Sequence, residues 1–96
     1  MITSFGDRAT DDLYHGRPTV RVRRFPRDVA DAALVKMDSL NGAASTLDLR
    51  SPPGNRLEAL SDELKGFHSI RVSDQWRLVF RWQGSDAHKV RLTDYH

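Results

Sequence analysis

Apolar residues change their spacing once along the chain, from every third or fourth position to every second. In "PRDVADAALVKMDSLNG" they recur three and four residues apart, which is the repeat of one helix face. The positions are Val29, Ala30, Ala33, Leu34, Met37 and Leu40. Pro26 suits a first helical turn, and Asn41-Gly42 is a stop signal. The pattern predicts a helix of about four turns with one face in the core.

From Arg56 onward the apolar residues alternate with polar ones, which is typical of strands with one buried face. The segments "FHSIRV", "WRLVFRW" and "HKVRLTD" predict three antiparallel strands, and "RLEAL" predicts an earlier one. Ser73-Asp74 and Gly84-Ser85-Asp86 supply turns between them. The expected fold class is α+β, a small antiparallel β-sheet with N-terminal helices packed on one face.

The segments before the long helix are shorter and more polar. "ITSF" predicts a short first strand, and "GDRATDDLYHG" a short helix that Gly16 ends. "RPTVRVRRFPRD" holds five Arg and two Pro, so we expect a basic loop. "STLDLRSPPGN" is a turn-rich connector. With no repeat or long linker, residues 1–96 are expected to form one domain.

Strand alternation sorts the side chains between two faces of the sheet. The apolar face, expected to meet the helices, holds Ile70, Val72, Trp76, Leu78, Phe80, Trp82, Val90 and Leu92. The other face, expected to be open to solvent, holds Ser69, Arg71, Arg77, Val79, Arg81, Lys89, Arg91 and Thr93. Five of these are cations, and Glu58 is the acid that alternation adds to them.

The charge of the whole chain hides this concentration. The formal net charge is +2, yet residues 1–27 carry six basic and three acidic side chains, residues 28–64 three and seven, and residues 65–96 six and three. Like charges on one sheet face repel, so an anionic partner such as nucleic acid explains them. The alternative is a solvated polar face without a ligand.

Several classes of protein do not fit the composition. The chain has no cysteine, so disulfides, thiolate metal sites and thiol nucleophiles are excluded. No basic and apolar leader opens the chain, and no apolar run approaches the roughly 20 residues of a membrane span, so we expect a cytoplasmic protein without membrane contact. His15, His68, His88 and His96 lack mutual ligand spacing and no Gly-rich phosphate loop is present, so we expect neither metal nor cofactor.

The chain ends on three consecutive titratable residues, Asp94, Tyr95 and His96. Cleaving RNA through its own 2′-hydroxyl needs a base for that proton, an acid for the departing 5′-oxygen, and positive charge beside the phosphorane. The three terminal residues or Glu58 could exchange the protons, and Arg77 or Arg81 could supply the charge. Each residue also has a simpler interpretation as a solvated end, a packed ring or a surface ion partner.

The segments "PPGNRLEAL", "HSIRVSDQWRLVFRW" and the terminal "DYH" resemble the HigB branch of the RelE/ParE superfamily of toxins from bacterial toxin–antitoxin pairs. The likeness is specific over residues 52–96. Before them, "MITSF" and the helix order fit, whereas the basic segment Arg17 to Arg27 has no match. The resemblance implies a metal-independent mRNA interferase that enters the ribosomal A site. It also implies a HigA-like helix-turn-helix antitoxin, which would bring the pair to its operator DNA.

The resemblance also assigns residues by position. Asp94, Tyr95 and His96 match the family's terminal catalytic triplet, and Arg77 matches the arginine after the strand tryptophan. Glu58 stands where better-known relatives have histidine, so the implied catalytic set is Glu58, Arg77, Asp94, Tyr95 and His96. The implied RNA-binding set is Lys65, Arg71, Arg81, Lys89 and Arg91.

This chain departs from the family pattern at two further positions. Gln75 stands where relatives have asparagine, and Ser61 stands where they have a lysine, for which Lys65 is a substitute at a different spacing. Two alternatives to the nuclease therefore stay open. One is a non-catalytic homologue, either a ParE-like gyrase inhibitor or a degenerate toxin that still binds its antitoxin. The other is a plain RNA-binding module.

Overall fold

The helices precede the strands in the computed structural model, which describes residues 1–94. The helices are α1 (Arg8–Tyr14), α2 (Val20–Arg23) and α3 (Arg27–Gly42). The strands are β1 (Glu58–Ala59), β2 (Phe67–Arg71), β3 (Trp76–Gln83) and β4 (Asp86–Asp94). Two short 3-10 helices, Thr46–Arg50 and Pro53–Asn55, lie between α3 and β1, and a 3-10 turn at Asp62–Leu64 lies between β1 and β2. None of the helices within residues 1–94 is long and apolar enough to cross a membrane.

The four strands form one antiparallel sheet in the order β1-β2-β3-β4. Each strand therefore pairs with its neighbour in sequence, which needs only short turns. The expected α+β class, with N-terminal helices and a small antiparallel sheet, is confirmed.

Helix α3 forms where the apolar spacing predicts it. Pro26 precedes its first residue, and the helix runs for 16 residues to Gly42. Its buried side chains are Val29, Ala30, Ala33, Met37 and Leu40. Met37 and Leu40 are fully buried, and so are Ile70, Leu78 and Phe80 of the sheet. Burial of each large apolar side chain contributes about 1.5–3 kcal/mol, so this layer is the main stabilising contact.

The sequence predicts a basic loop before α3. The structure differs, because this segment contains the single-turn helix α2. Thr19 caps this turn by accepting a hydrogen bond from the Val22 amide at 3.4 Å. Asp12 of α1, whose side chain is 7% exposed, accepts hydrogen bonds from the side chains of Thr19, Arg21 and Arg17. The two prolines only limit the length of the helix, since proline is excluded from helix interiors.

The segment "ITSF" forms isolated bridges instead of the predicted strand. Ile2 and Phe5 pair in parallel with Ala87 and Val90 of β4. The backbone then passes close to β4 at Gly6, where an added Cβ would lie 2.9 Å from the Lys89 carbonyl oxygen. This contact needs a residue without a side chain.

The predicted strand "RLEAL" contracts to the two residues of β1. Arg56, just before it, has a left-handed backbone with φ 45°, and the 3-10 turn at Asp62–Leu64 follows it. Glu58 pairs with Ser69 and Ala59 with His68. Strand pairing therefore has room for only two residues between these turns.

Strand β4 contains a β-bulge. Val79 pairs with Arg91 and Arg81 pairs with His88, so Lys89 and Val90 together lie opposite Phe80. Lys89 has φ 54°, the left-handed conformation that such an extra residue often adopts. The bulge bends β4 next to the close approach of Gly6.

Asp12→Asn should lower the free energy of unfolding, with the loss largest near neutral pH. Burial opposes ionisation of Asp12, but hydrogen bonds from Thr19, Arg21 and Arg17 outweigh it and place its pKa below the ordinary 3.8. Such a carboxylate stabilises the fold above its unfolded pKa, and this contribution is lost as pH falls through the lower, folded pKa. Thermal unfolding as a function of pH should therefore show the two proteins converging in acid. The exposed Asp38→Asn is the control, and a difference that does not depend on pH would contradict the assignment.

Gly6→Ala should destabilise the protein by about 1–3 kcal/mol, because the new methyl group would overlap the β4 backbone. Besides the Lys89 oxygen, it would lie 3.2 Å from the Arg91 Cβ. Urea denaturation measures the change. Gly42→Ala is the matched control, since an added Cβ there has no neighbour within 4 Å. Equal stability of the two variants would show that the N-terminal segment is not held against β4.

Candidate active site on the outer sheet face

The face of the sheet opposite α3, called the outer face below, carries three rows of side chains. Residues that pair directly across antiparallel strands lie on the same face. The rows are Phe67–Arg81–His88, then Ser69–Val79–Arg91, then Arg71–Arg77–Thr93. Glu58 extends the middle row because it pairs with Ser69. The structure thus brings Glu58, Arg71, Arg77, Arg81 and Arg91 onto one face, as alternation predicts.

Arg77 is the most enclosed cation of this face, with its side chain 12% exposed. Its Nε donates to the Ser69 Oγ at 2.8 Å. Its Nη2 donates to the Arg56 carbonyl at 2.6 Å and to the Ser69 carbonyl at 3.4 Å. These acceptors are neutral, so they fix the guanidinium without cancelling its charge. Arg77 is therefore a positioned cation with charge left for an anionic ligand.

The connector after α3 holds the Arg56 carbonyl in place. Asn55, 1% exposed, donates to the carbonyls of Leu49 and Ser51 and accepts a hydrogen bond from Lys36 of α3. The left-handed backbone of Arg56 follows directly. Because a non-glycine residue rarely adopts φ > 0 without surrounding constraints, Asn55 is the anchor that stabilises this turn.

Glu58 lies beside Arg77 but is only weakly paired with it. Its Oε1 is 4.0 Å from the Arg77 Nη2, and its side chain is 60% exposed. An exposed pair at this distance contributes little to stability. The carboxylate is therefore accessible next to a fixed positive charge, an arrangement in which it could accept a proton.

Arg71 is less available than the sequence suggests. Its guanidinium pairs with Asp74 in the β2–β3 turn and donates to the Ser73 carbonyl at 3.4 Å. Asp74 is 92% exposed, so this ion pair can exchange for another anion at low cost. Strand alternation alone could not predict this ion pair, because Asp74 lies in the turn, three positions after Arg71.

The remaining cations of the predicted RNA-binding set are exposed. Within residues 1–94, the side chains of Arg81, Lys89 and Arg91 form no hydrogen bond or ion pair, and neither does that of Lys65. Lys65 lies outside the three rows, on the turn that leads into β2. Arg81, Lys89 and Arg91 thus form the uncompensated positive part of the outer face.

The outer face is not uniformly open, which corrects the expectation for Val79. This residue is 1% exposed, because Leu64 and Phe67 lie beside it on the outer face. The 3-10 turn at Asp62–Leu64 brings Leu64 there. The alternation correctly separates Val79 from the core under α3 but does not show what covers it.

The predicted terminal triplet is described only in part. Asp94 ends β4 and pairs with Trp76, next to the pairing of Thr93 with Arg77. By the pairing rule above, the Asp94 side chain shares the face of Trp76, so the structure does not bring it onto the outer face with Arg77. Tyr95 and His96 lie outside the described residues.

The two further departures that the resemblance implies, Ser61 and Gln75, both lie in connections between strands. Ser61 immediately precedes the 3-10 turn at Asp62–Leu64, and Gln75 is an exposed residue of the β2–β3 turn. Ser69 and Phe67 are site residues that the sequence did not single out. In the sequence, only the strand alternation, which places Ser69 on the same face as Arg77, indicated that the two residues could be in contact.

Histidines do not form a metal cluster in the part of the chain that the structure describes. No group of three or more His, Cys, Asp or Glu side chains there could hold a metal ion. His68 stacks on Phe80 with ring centroids 6.1 Å apart, and burial lowers its pKa below 6.5. Since Phe80 belongs to the core, His68 faces α3 and not the outer face.

Comparison with known proteins agrees with this geometry. A family model described as RelE-like toxin of type II toxin-antitoxin system HigB matches residues 3–96. Toxin HigB-1 of Vibrio cholerae serotype O1 is 40% identical over 82 residues, which cover 85% of this chain and 84% of that protein. An uncharacterized protein of Haemophilus influenzae is 30% identical over 69 residues, which cover 72% of this chain and 68% of that protein.

Solved structures show the same fold at low sequence identity. The chain is similar to the YoeB–YefM complex from Staphylococcus aureus, with a TM-score of 0.62, 17% identity, and coverage of 100% of this chain and 95% of that one. A YafQ mutant from E. coli also gives a TM-score of 0.62 at 17% identity, over 98% and 91% of the two chains. The sequence matches carry the assignment further than the fold does: this chain belongs to the RelE-like toxins of the HigB type, the toxin components of type II toxin–antitoxin systems.

Proposed function

We propose that this toxin is a metal-independent, ribosome-dependent mRNA endonuclease. The observation that carries the proposal is Arg77, a guanidinium held by neutral acceptors beside an exposed carboxylate, on a face with uncompensated cations. Such a group stabilises negative charge that develops on a phosphate during a reaction and needs no reorganisation to do so. Glu58 supplies a group for proton transfer beside it.

The proposed reaction is attack of an RNA 2′-hydroxyl on the adjacent phosphate. A base removes the 2′-hydroxyl proton, the new O–P bond forms, and the bond from phosphorus to the 5′-oxygen breaks. An acid returns a proton to that oxygen, so the products are a 2′,3′-cyclic phosphate and a 5′-hydroxyl. Glu58, Asp94, Tyr95 and His96 are the candidates for the proton transfers, and Arg77 stabilises the phosphorane.

The other cations of the proposed RNA-binding set would hold the strand across the face. Arg81, Lys89 and Arg91 are exposed, Arg71 can exchange Asp74 for a phosphate, and Lys65 lies at the edge. Contacts of this kind bind phosphates without reading the sequence. Access to mRNA in the ribosomal A site would then supply the substrate.

As a type II toxin, the chain has an antitoxin partner. We propose that this partner is HigA-like, with a helix-turn-helix domain, and that the pair contacts operator DNA through the antitoxin. The proposed place of action is the cytoplasm, where ribosomes and mRNA are present. We also propose that residues 1–96 form a single toxin domain.

Addition of the purified toxin to translating ribosomes should cut the mRNA within the open reading frame. Arg77→Ala should slow cleavage by about 10²- to 10³-fold because the fixed charge is lost. Deletion of His96 should slow it by about 10²- to 10⁴-fold if this residue transfers a proton. Primer extension locates the cuts, and Arg50→Ala, a change of an exposed arginine in the connector, is the matched control.

One result would contradict the proposal, and two others would identify an alternative function. Intact mRNA with the wild-type chain would contradict the nuclease proposal. DNA-damage signalling in cells without mRNA cleavage would indicate a ParE-like gyrase inhibitor. Salt-sensitive binding to naked RNA, with no cut even when ribosomes are supplied, would indicate an RNA-binding module.

Ser69→Ala should destabilise the protein by about 1–3 kcal/mol, because it leaves the Nε of the enclosed Arg77 without its acceptor. The loss should nearly vanish in an Arg77→Met background, where that donor is absent. Urea denaturation of the two single variants and the double variant measures this coupling. Ser85→Ala, an exposed change in the β3–β4 turn, should stay within about 0.5 kcal/mol of the wild type. Equal losses in both backgrounds would show that Ser69 does not position Arg77.

A further inference from the structure

The outer face contains a depression beside the candidate active site. Its volume is about 160 Å³, and we call it the outer depression. It is lined by Gly6, Leu64, Phe67, Val79, Lys89 and Arg91. Phe67 belongs to the row of Arg81, whereas Arg77 lies four residues from Arg81 along β3. At about 3.3 Å per residue, the Phe67 row lies roughly 13 Å from the Arg77 row. Val79 and Arg91 belong to the row between them, which Glu58 extends. The depression therefore adjoins the candidate site, with Phe67 at the end away from Arg77.

The apolar part of the outer depression is not an extension of the core. Leu64, Phe67 and Val79 are absent from the cluster of side chains that packs under α3. Val79 is fully covered, but Phe67 is only half-buried, so part of its ring is accessible on a face that is otherwise polar. Packing of the 3-10 turn onto the sheet explains why Val79 is buried. It does not explain why the ring of Phe67 remains accessible to solvent.

Cations surround this accessible ring. Lys89 and Arg91 line the outer depression, and Arg81 is the direct cross-strand partner of Phe67. None of these three side chains has a hydrogen bond or ion pair within the range that the structure describes. Asp62 and Glu63, the acids of the adjacent 3-10 turn, are exposed and do not line the depression. An aromatic surface between free cations matches the chemistry of single-stranded nucleic acid, with bases on rings and phosphates on cations.

We propose that the outer depression binds one base of single-stranded RNA, stacked on Phe67, while Lys89, Arg91 and Arg81 hold the neighbouring phosphates. The proposal rests on the proposed function only in that this strand is the one that the toxin would cut. Because Phe67 lies two rows from Arg77, the base stacked on it belongs to a nucleotide that flanks the cleaved phosphate. Stacking accepts every base, so this site adds affinity and positions the strand more than it selects a sequence.

The test compares two uncleavable probes of equal length and charge. One is a single-stranded oligoadenylate whose 2′-hydroxyls are all methylated, and the other is an abasic phosphodiester. We expect Phe67→Leu to weaken binding of the oligoadenylate about 5- to 150-fold, the range for one stacked base, and to leave binding of the abasic probe unchanged. Phe67→Trp should keep the preference for the probe with bases. Both variants retain an apolar side chain, and circular dichroism verifies that they are folded.

Three outcomes would overturn the proposal. One is a wild-type protein that binds the two probes equally or binds neither. Another is a Phe67→Leu variant that loses affinity for both probes alike, or for neither. The third is loss of antitoxin binding with unchanged binding of the oligoadenylate, which would assign the depression to a protein segment. Since the probes cannot be cut and no ribosome is present, a toxin that fails to cleave mRNA still gives a result.

Discussion

The packing of one apolar helix face against one sheet face constrains everything else in this small toxin. Met37 and Leu40 of α3 and Phe80 of β3 are all fully buried in that layer. Because strand side chains alternate, committing one face of the sheet to this core sends every second residue to the opposite face. Charged residues could then collect there without any cost to the core. The polarity of the outer face is thus a consequence of how the inner face is stabilised.

Stability and the candidate chemistry are joined at Arg77. Its guanidinium is fixed by Ser69 in the neighbouring strand and by the carbonyl of Arg56 in the connector. The connector is in turn held by Asn55, which accepts a hydrogen bond from Lys36 of α3. A continuous set of contacts therefore runs from the helix layer to the outer face. Placing a reactive group on rigid elements in this way is what a preorganised site requires.

Repeating patterns in the sequence predicted the repeating parts of the structure. The spacing of three and four residues placed α3, and the alternation from Phe67 onward gave β2, β3 and β4 and separated Arg77 from Phe80. Features set by single turns escaped this reasoning. The helical turn α2, the pairing of Arg71 with Asp74 and the covering of Val79 by Leu64 depend on local capping and on residues distant in sequence. No period in the sequence encodes these contacts, so their geometry had to come from the structure.

The β-bulge at Lys89 determines the orientation of everything after it in β4. Up to His88 and again from Val90, the strand alternates regularly, and the extra residue between them resets the phase. If Lys89 instead continued the regular alternation, Arg91 and Thr93 would exchange faces with Val90 and Leu92, and the core would receive the charge of Arg91. In the part of β4 before Lys89 the outward residues have even numbers, and in the part after it they have odd numbers. The one left-handed residue of the bulge thus allows both parts to direct their polar side chains to the same face of the sheet.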